Sequence, residues 1–344
     1  MKQVKLIVAL IAGLFAFTSV QAGEMSVTGT MQATYQSEVD NNTGNPLGMN
    51  TDLSFTGTTD TDFGTATWTM GTDGTFLGDS GADHKLSLAT SFGTIIVANS
   101  GDPANAVDDI TPSAFEEANG AGSGTINSSS DGDVGAGMEG SMSLGYSNGD
   151  VLGTGISLAY YYYPKLDGNL NNEKGFSGVT NEGKGSAESV SVGIPFASIP
   201  LVGDSPLGGA KLTLGYNVND NLTPANQSLE GGTAALTLPI GPMSFGFQKK
   251  AYAPAQTDGT KTFYKDDIYG IAYAVNDEFA VSYNVIESDK HAETTIVEQE
   301  TKAVNIAYTV GGLTLAFQDA SSSNSGYSVG TDNDTRTISV KTAF

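Results

Sequence analysis

Residues 25–36 alternate strictly. Met25, Val27, Gly29, Met31, Ala33 and Tyr35 take the odd positions, and Ser26, Thr28, Thr30, Gln32, Thr34 and Gln36 the even ones. A β-strand sends successive side chains to opposite faces, so this segment carries one apolar and one polar face. Its length is close to that of a tilted strand crossing a bilayer. The pattern returns along the chain. Leu53 and Phe55 oppose Ser54 and Thr56, and Ala66, Trp68 and Met70 oppose Thr65, Thr67 and Thr69. Met138, Met142, Leu144 and Tyr146 oppose Glu139, Ser141 and Ser143, while Phe279, Val281, Tyr283 and Val285 oppose Ala280, Ser282 and Asn284. The last segment sets Ile338, Val340 and Phe344 against Ser339 and Lys341.

A two-sheet sandwich also alternates. Three features favour a closed barrel in a membrane instead. The polar faces are mostly small Ser, Thr, Gly and Asn, the segments are long, and no segment supplies a helix to cover a sheet. The expected fold is all-β, a transmembrane antiparallel β-barrel. Sixteen segments are counted, with fourteen and eighteen as the alternatives; 136–147, 153–163, 278–287 and 299–310 are among them. Short connections such as Asn148–Asp150 and Gly311–Gly312 alternate with long ones at 37–49, 100–135, 164–184, 253–264 and 320–333, matching short inner turns and long outer loops. The long, proline-rich connection 196–209 breaks that rule.

The amino terminus reads as a processing segment. Lys2 and Lys5 precede an apolar run from Leu6 to Phe17, and Val20-Gln21-Ala22 fits a small-x-small cleavage site. Residues 1–22 are therefore expected to be a cleaved signal peptide and 23–344 the mature barrel. Over 23–344 there are 13 bases and 38 acids, a net charge of −25. That balance argues against nucleic acid, which demands a basic footprint. With no cysteine there is no disulfide and no thiolate site. Only two histidines occur, His84 and His291, with no metal-ligand spacing and both expected on the surface. No nucleophile–histidine arrangement stands out, so the chain reads as a non-enzyme.

Several features resemble the general porin family of Gram-negative bacteria. The mature start Gly23–Tyr35 looks like that family's first strand, and Phe92-Gly93-Thr94-Ile95-Ile96-Val97-Ala98-Asn99 like its fifth. The long segment 100–135 follows where the family has its constriction loop, and the chain ends in Phe344 on the apolar parity. The resemblance implies a sixteen-stranded homotrimer in the outer membrane, one pore per subunit, with the third loop folded inward. The departure is chemical. The family commonly sets wall arginines against acids on that loop, but the fifth-strand position often held by Arg is Asn99 here, and Arg336 is the single arginine. The inward bases are Lys85, Lys211, Lys250 and Lys341.

Asp102, Asp108, Asp109, Glu116 and Glu117 read either as a ring of negative charge at the pore constriction or as solvated loop acids. Lys85, Glu139, Lys211 and Lys341 are the candidate pore-wall charges. Asp131, Asp133, Asp332 and Asp334 read either as hard-oxygen ligands for a loop-bound calcium or as turn acids; no other cofactor is expected. The expected function is passive diffusion of small polar solutes and ions, with cation preference. The alternatives are a substrate-specific channel and a non-channel surface or adhesin barrel. Expected partners are copies of the chain itself, outer-membrane lipid and lipopolysaccharide, and small hydrophilic solutes and cations. Thirteen of the 14 tyrosines lie at or beyond Tyr146. Aromatic girdles belong at lipid interfaces, so the sector before Tyr146 is expected to meet protein.

Overall fold

A computed structural model describes residues 23–38, 45–72, 83–99, 101–118, 138, 140–166, 184–200, 202–221, 228–254, 262–292 and 294–344. Sixteen antiparallel strands close into one barrel: β1 (Glu24–Glu38), β2 (Leu47–Thr61), β3 (Gly64–Thr72), β4 (Asp83–Thr90), β5 (Gly93–Ala98), β6 (Ser143–Asn148), β7 (Ser157–Tyr163), β8 (Lys184–Pro195), β9 (Lys211–Asn221), β10 (Leu229–Ile240), β11 (Met243–Ala253), β12 (Phe263–Ala274), β13 (Phe279–Ala292), β14 (Thr295–Val310), β15 (Leu313–Ser323) and β16 (Asn333–Ala343). Each strand pairs with its sequence neighbours, and β1 pairs with β16. Phe344 extends this seam, exchanging backbone hydrogen bonds of 2.8 and 3.0 Å with Gly29. Closure leaves no unpaired strand edge, which is what hydrocarbon demands of a sheet. Among the described residues the helical pieces are single 3-10 turns.

Register fixes the faces, because residues paired across a ladder share a side. Gly57, Trp68, Leu86, Val97, Leu144 and Tyr162 form one continuous row over β2–β7. This apolar parity is exposed: Met31 is 43%, Tyr283 42% and Leu315 42% accessible. The polar parity is buried, with Asn217, Asn284, Thr301 and Asn305 at 0%. A soluble protein does the reverse. Apolar outside and polar inside is the arrangement of a barrel whose surroundings are lipid.

Four boundaries differ from the sequence pattern by four residues or more. β6 begins at Ser143, not 136, because Gly140 (φ +77°) turns the chain. Met138 consequently sits inside the barrel with Ile96, Ala98, Tyr161, Tyr163, Leu166 and Ala187, not on the lipid face. β7 begins at Ser157, since Leu152, Gly153 and Gly155 all take positive φ, which interrupts an extended backbone. β13 and β14 run on to Ala292 and back from Thr295. Beyond Val285 and Val304 their outward residues are mostly charged, Glu287, Asp289, Glu298, Glu300 and Lys302, with His291 and Ile296 at the tip, so the ladder continues after the apolar pattern stops. Between β8 and β9, the described residues of the connection 196–209 form turns, starting with the 3-10 turn Phe196–Ser198.

Candidate functional site

Segment 101–118 leaves the β5 end of the sheet and runs along the buried polar parity from β7 to β15. Gly101 O accepts from the Tyr163 hydroxyl at 3.0 Å on β7, and the Ala104 amide donates to Ser189 Oγ at 2.9 Å on β8. Four carboxamides on β11, β13, β14 and β15 then hold its backbone in order. Gln248 Nε2 donates to Val107 O (3.1 Å), while its Oε1 accepts from the Ile110 amide (3.2 Å). Asn284 Nδ2 donates to Pro112 O (3.1 Å), Asn305 Nδ2 to Glu116 O (2.8 Å) and Gln318 Nε2 to Glu117 O (2.9 Å). An amide side chain carries both a donor and an acceptor, so it can stand in for a neighbouring strand. Gln248, Asn284 and Gln318 are almost wholly buried.

The wall makes room for this segment with glycine. A Cβ on Gly246 would lie 2.2 Å from Pro112 Cδ, one on Gly270 2.8 Å from Pro112 O, and one on Gly215 2.8 Å from Val107 Cγ2. At its far end Ala118 packs among Ile268, Ile286, Ala303 and Ala320. Neither the amide row nor the glycine shelf stands out in the sequence, where Asn, Gln and Gly at polar-parity positions read only as small and polar.

The acids of the segment divide by environment. Asp102 is buried; its Oδ1 accepts from the Ser189 hydroxyl and from the Ala104 amide (2.8 Å), just ahead of the 3-10 turn Asn105–Val107. Asp109 Oδ1 lies 2.8 Å from Lys250 Nζ and Asp108 Oδ2 3.9 Å from it, with Lys250 itself 3% exposed. Asp266, also buried, stands opposite Lys250 in the β11–β12 register. Asp108 and Asp109 thus tie the segment to Lys250, one cation set among three carboxylates. Glu116 is exposed inside the barrel. The surrounding wall desolvates it and raises its carboxyl above the usual range, against the pull of Lys341. Glu117 is buried, and its Oε1 accepts from the Thr111 amide (2.7 Å) and from the Thr111 hydroxyl. Burial, then Asp109, push its carboxyl up to about 7, against the Thr111 hydrogen bonds and Lys250.

The sign for Glu117 follows from linkage. Its value in the fold exceeds the ordinary 4.5, so between those values the folded chain holds a proton that the unfolded chain has lost. Its stabilising contribution is complete below about pH 4.5 and fades as pH rises through about 7. Raising pH from 6 to 8 should therefore place one more negative charge beside the segment. In a reconstituted channel this should shift the reversal potential toward cations, and Glu117→Gln should flatten that shift; an equal shift in the variant would exclude Glu117 as its source.

The remaining expected charges scatter. Lys85, Lys211 and Lys341 lie on the polar parity of β4, β9 and β16. Glu139, Asp131 and Asp133 fall outside the described residues, as do residues 1–22. Asp332 and Asp334 are exposed, and among the described residues no three acids or histidines converge on a metal position. His84 is exposed; His291 is not, and its ring stacks on Phe263 at 4.3 Å.

No family model matches this sequence, and no curated protein does. Solved structures match over nearly the whole chain. A porin refined at 1.8 Å is 14% identical with a TM-score of 0.63, covering 93% of this chain and 100% of its own. OmpF of Salmonella typhi, in complex with daunomycin, is 13% identical with a TM-score of 0.63, over 94% and 98%. An anion-selective porin from Comamonas acidovorans is 13% identical with a TM-score of 0.62, over 94% and 100%. The chain has the general-porin fold.

Proposed function

We propose that this chain is an outer-membrane porin, a water-filled channel for passive diffusion of small polar solutes and ions, with a preference for cations. The observation that carries the reading is the inverted barrel: an exposed apolar parity, a buried polar parity, and a segment laid along one side of the interior. Polar lining with small side chains leaves room for water, and net negative charge raises the local concentration of cations. Its surroundings are outer-membrane lipid and lipopolysaccharide. Recording from single channels in a planar bilayer under a KCl gradient tests both parts. Stepwise conductance is expected, with a reversal potential of cation sign at about 0.1 M salt, where screening is incomplete. A silent bilayer sinks the channel, and an anion-sign potential sinks the preference.

The assembly is a homotrimer packed through β1–β5. Most outward residues there are small or aliphatic, such as Val27, Gly29, Met31 and Ala33, with Tyr35, Phe55 and Trp68 the bulky exceptions, and small residues let backbones approach. Leu88 is a poor probe of this face, being 1% exposed in the single subunit. Met31 and Tyr283, at 43% and 42%, are matched probes on different sectors, since β13 lies four strands from β1 in the ring. Met31→Lys should release monomers in mild detergent and Tyr283→Lys should not. The reverse pattern on native gels would move the interface to the other side of the barrel.

A further inference from the structure

The loop acids are not the only carboxylates on the polar parity. Asp52 lies on the wall at mid-length of β2, paired in register with Thr30 of β1. Its two oxygens are held by neutral donors: Thr30 Oγ1 gives one to Oδ2 at 2.8 Å, and Asn50 Nδ2 gives one to Oδ1 at 3.2 Å. A carboxylate has about four acceptor positions, so these bonds orient Asp52 and leave acceptor capacity open. Asp52 forms no ion pair among the described residues, in contrast to Asp108 and Asp109, which share Lys250.

Asp52 also borders open space. A cavity of about 810 Å³ lies along β1–β4 and the end of β16, lined on the polar parity by Thr28, Thr30, Asn50, Asp52 and Ser54 and, at the start of β4, by a second acid, Asp83. The hydrogen bonds of segment 101–118 described above all reach β7–β15, on the other side of the interior. The segment's acids Asp108 and Asp109 lie beside Lys250, whereas Asp52 stands among hydroxyls and an amide on a stretch of wall that no described residue of the segment covers. Lys341 is nearby, in the row Lys341–Gln32–Asn50, and acts on Glu116. Lys85 sits on β4 opposite Thr69, two strands from β2.

We infer that Asp52 is the centre of a wall subsite for small organic cations that carry hydroxyl groups. The ammonium of such a solute lies against the Asp52 carboxylate, and its hydroxyls exchange hydrogen bonds with Thr28, Ser54 and the Asn50 amide. The cavity far exceeds a single metal ion, and its lining offers both donors and acceptors, which suits an aminated polyol better than a bare ion. This rests on the channel reading above and adds a contribution of the β2 wall to its cation preference.

The test is influx into liposomes holding the full mature chain, with N-methylglucamine as the cationic polyol and sorbitol as its neutral counterpart. The wild-type ratio of initial rates, cation over neutral, is expected to be about threefold, from local enrichment beside a fixed charge. Asp52→Asn keeps an acceptor for Thr30 and should bring the ratio close to one with sorbitol influx unchanged. Asp52→Glu restores the charge and should keep the ratio raised. A wild-type ratio near one, or an unchanged ratio in Asp52→Asn, overturns the subsite while sorbitol influx still upholds the channel. Influx of neither solute overturns the channel, and the subsite with it.

Discussion

Lys250→Met should free segment 101–118 from the barrel wall. The substitution keeps most of the aliphatic stem and removes the cation that Asp109 meets at 2.8 Å and Asp108 at 3.9 Å. Removing one partner of a buried ion pair leaves the other charge uncompensated and typically costs about 3–5 kcal/mol. Here the carboxylates left behind are Asp108, Asp109 and the cross-strand Asp266, of which Asp108 and Asp266 are buried. The sheet has ladder bonds enough to survive, so the cost should fall on the segment. The expected result is a folded barrel, unchanged in strand content by circular dichroism, in which protease cuts between 101 and 118 and single-channel conductance becomes unsteady. A variant with wild-type protease resistance and steady conductance would show that the amide row alone holds the segment.

Gly246→Leu tests the same contact from the wall side. The added Cβ alone would lie 2.2 Å from Pro112 Cδ and 3.2 Å from Thr111 Cα, and the leucine branches would reach further. Gly246 is inside a strand pinned on both edges, between β10 and β12. The segment must therefore move. It would lose the Gln248 bonds to Val107 and Ile110 and the Asn284 bond to Pro112, each worth about 1 kcal/mol net. Conductance should change by more than in a control such as Gly232→Leu on the outward parity, where a Cβ meets nothing nearer than 3.7 Å. Equal conductance in both would mean that the segment does not border the conducting path.

The barrel was legible because lipid imposes a simple rule. Every strand that crosses hydrocarbon must show it apolar side chains at period two, and Val27, Phe55, Tyr283 and Ile338 do so. Where strands leave the lipid the rule lapses. The far ends of β13 and β14 carry outward Glu287, Asp289, Glu298 and Glu300, yet the backbone ladder continues, because ladder bonds form in water as well. The interior was harder to read. Gln248, Asn284, Asn305 and Gln318 are ordinary polar-parity residues until the fold sets them in a row against one segment. The loop acids illustrate the same limit. Spacing alone does not distinguish Asp108, offset by Lys250, from Glu116, exposed in the lumen, or from Glu117, held near neutrality. That distinction depends on which wall residues face each acid, and those lie well over a hundred positions away in the chain.

The row of carboxamides has a consequence for life in changing water. Bonds between neutral groups are not screened by salt, whereas attraction between exposed charges fades over a Debye length that shrinks from about 30 Å at 0.01 M to about 3 Å at 1 M. The backbone of segment 101–118 is tied by Gln248, Asn284, Asn305 and Gln318, and the ion pair at Lys250 is itself shielded from solvent. On the proposed channel reading, the width of the pore is thereby set independently of its charge. A cell carried from dilute to saline water would then keep the same size cut-off while its preference between ions of opposite sign weakened.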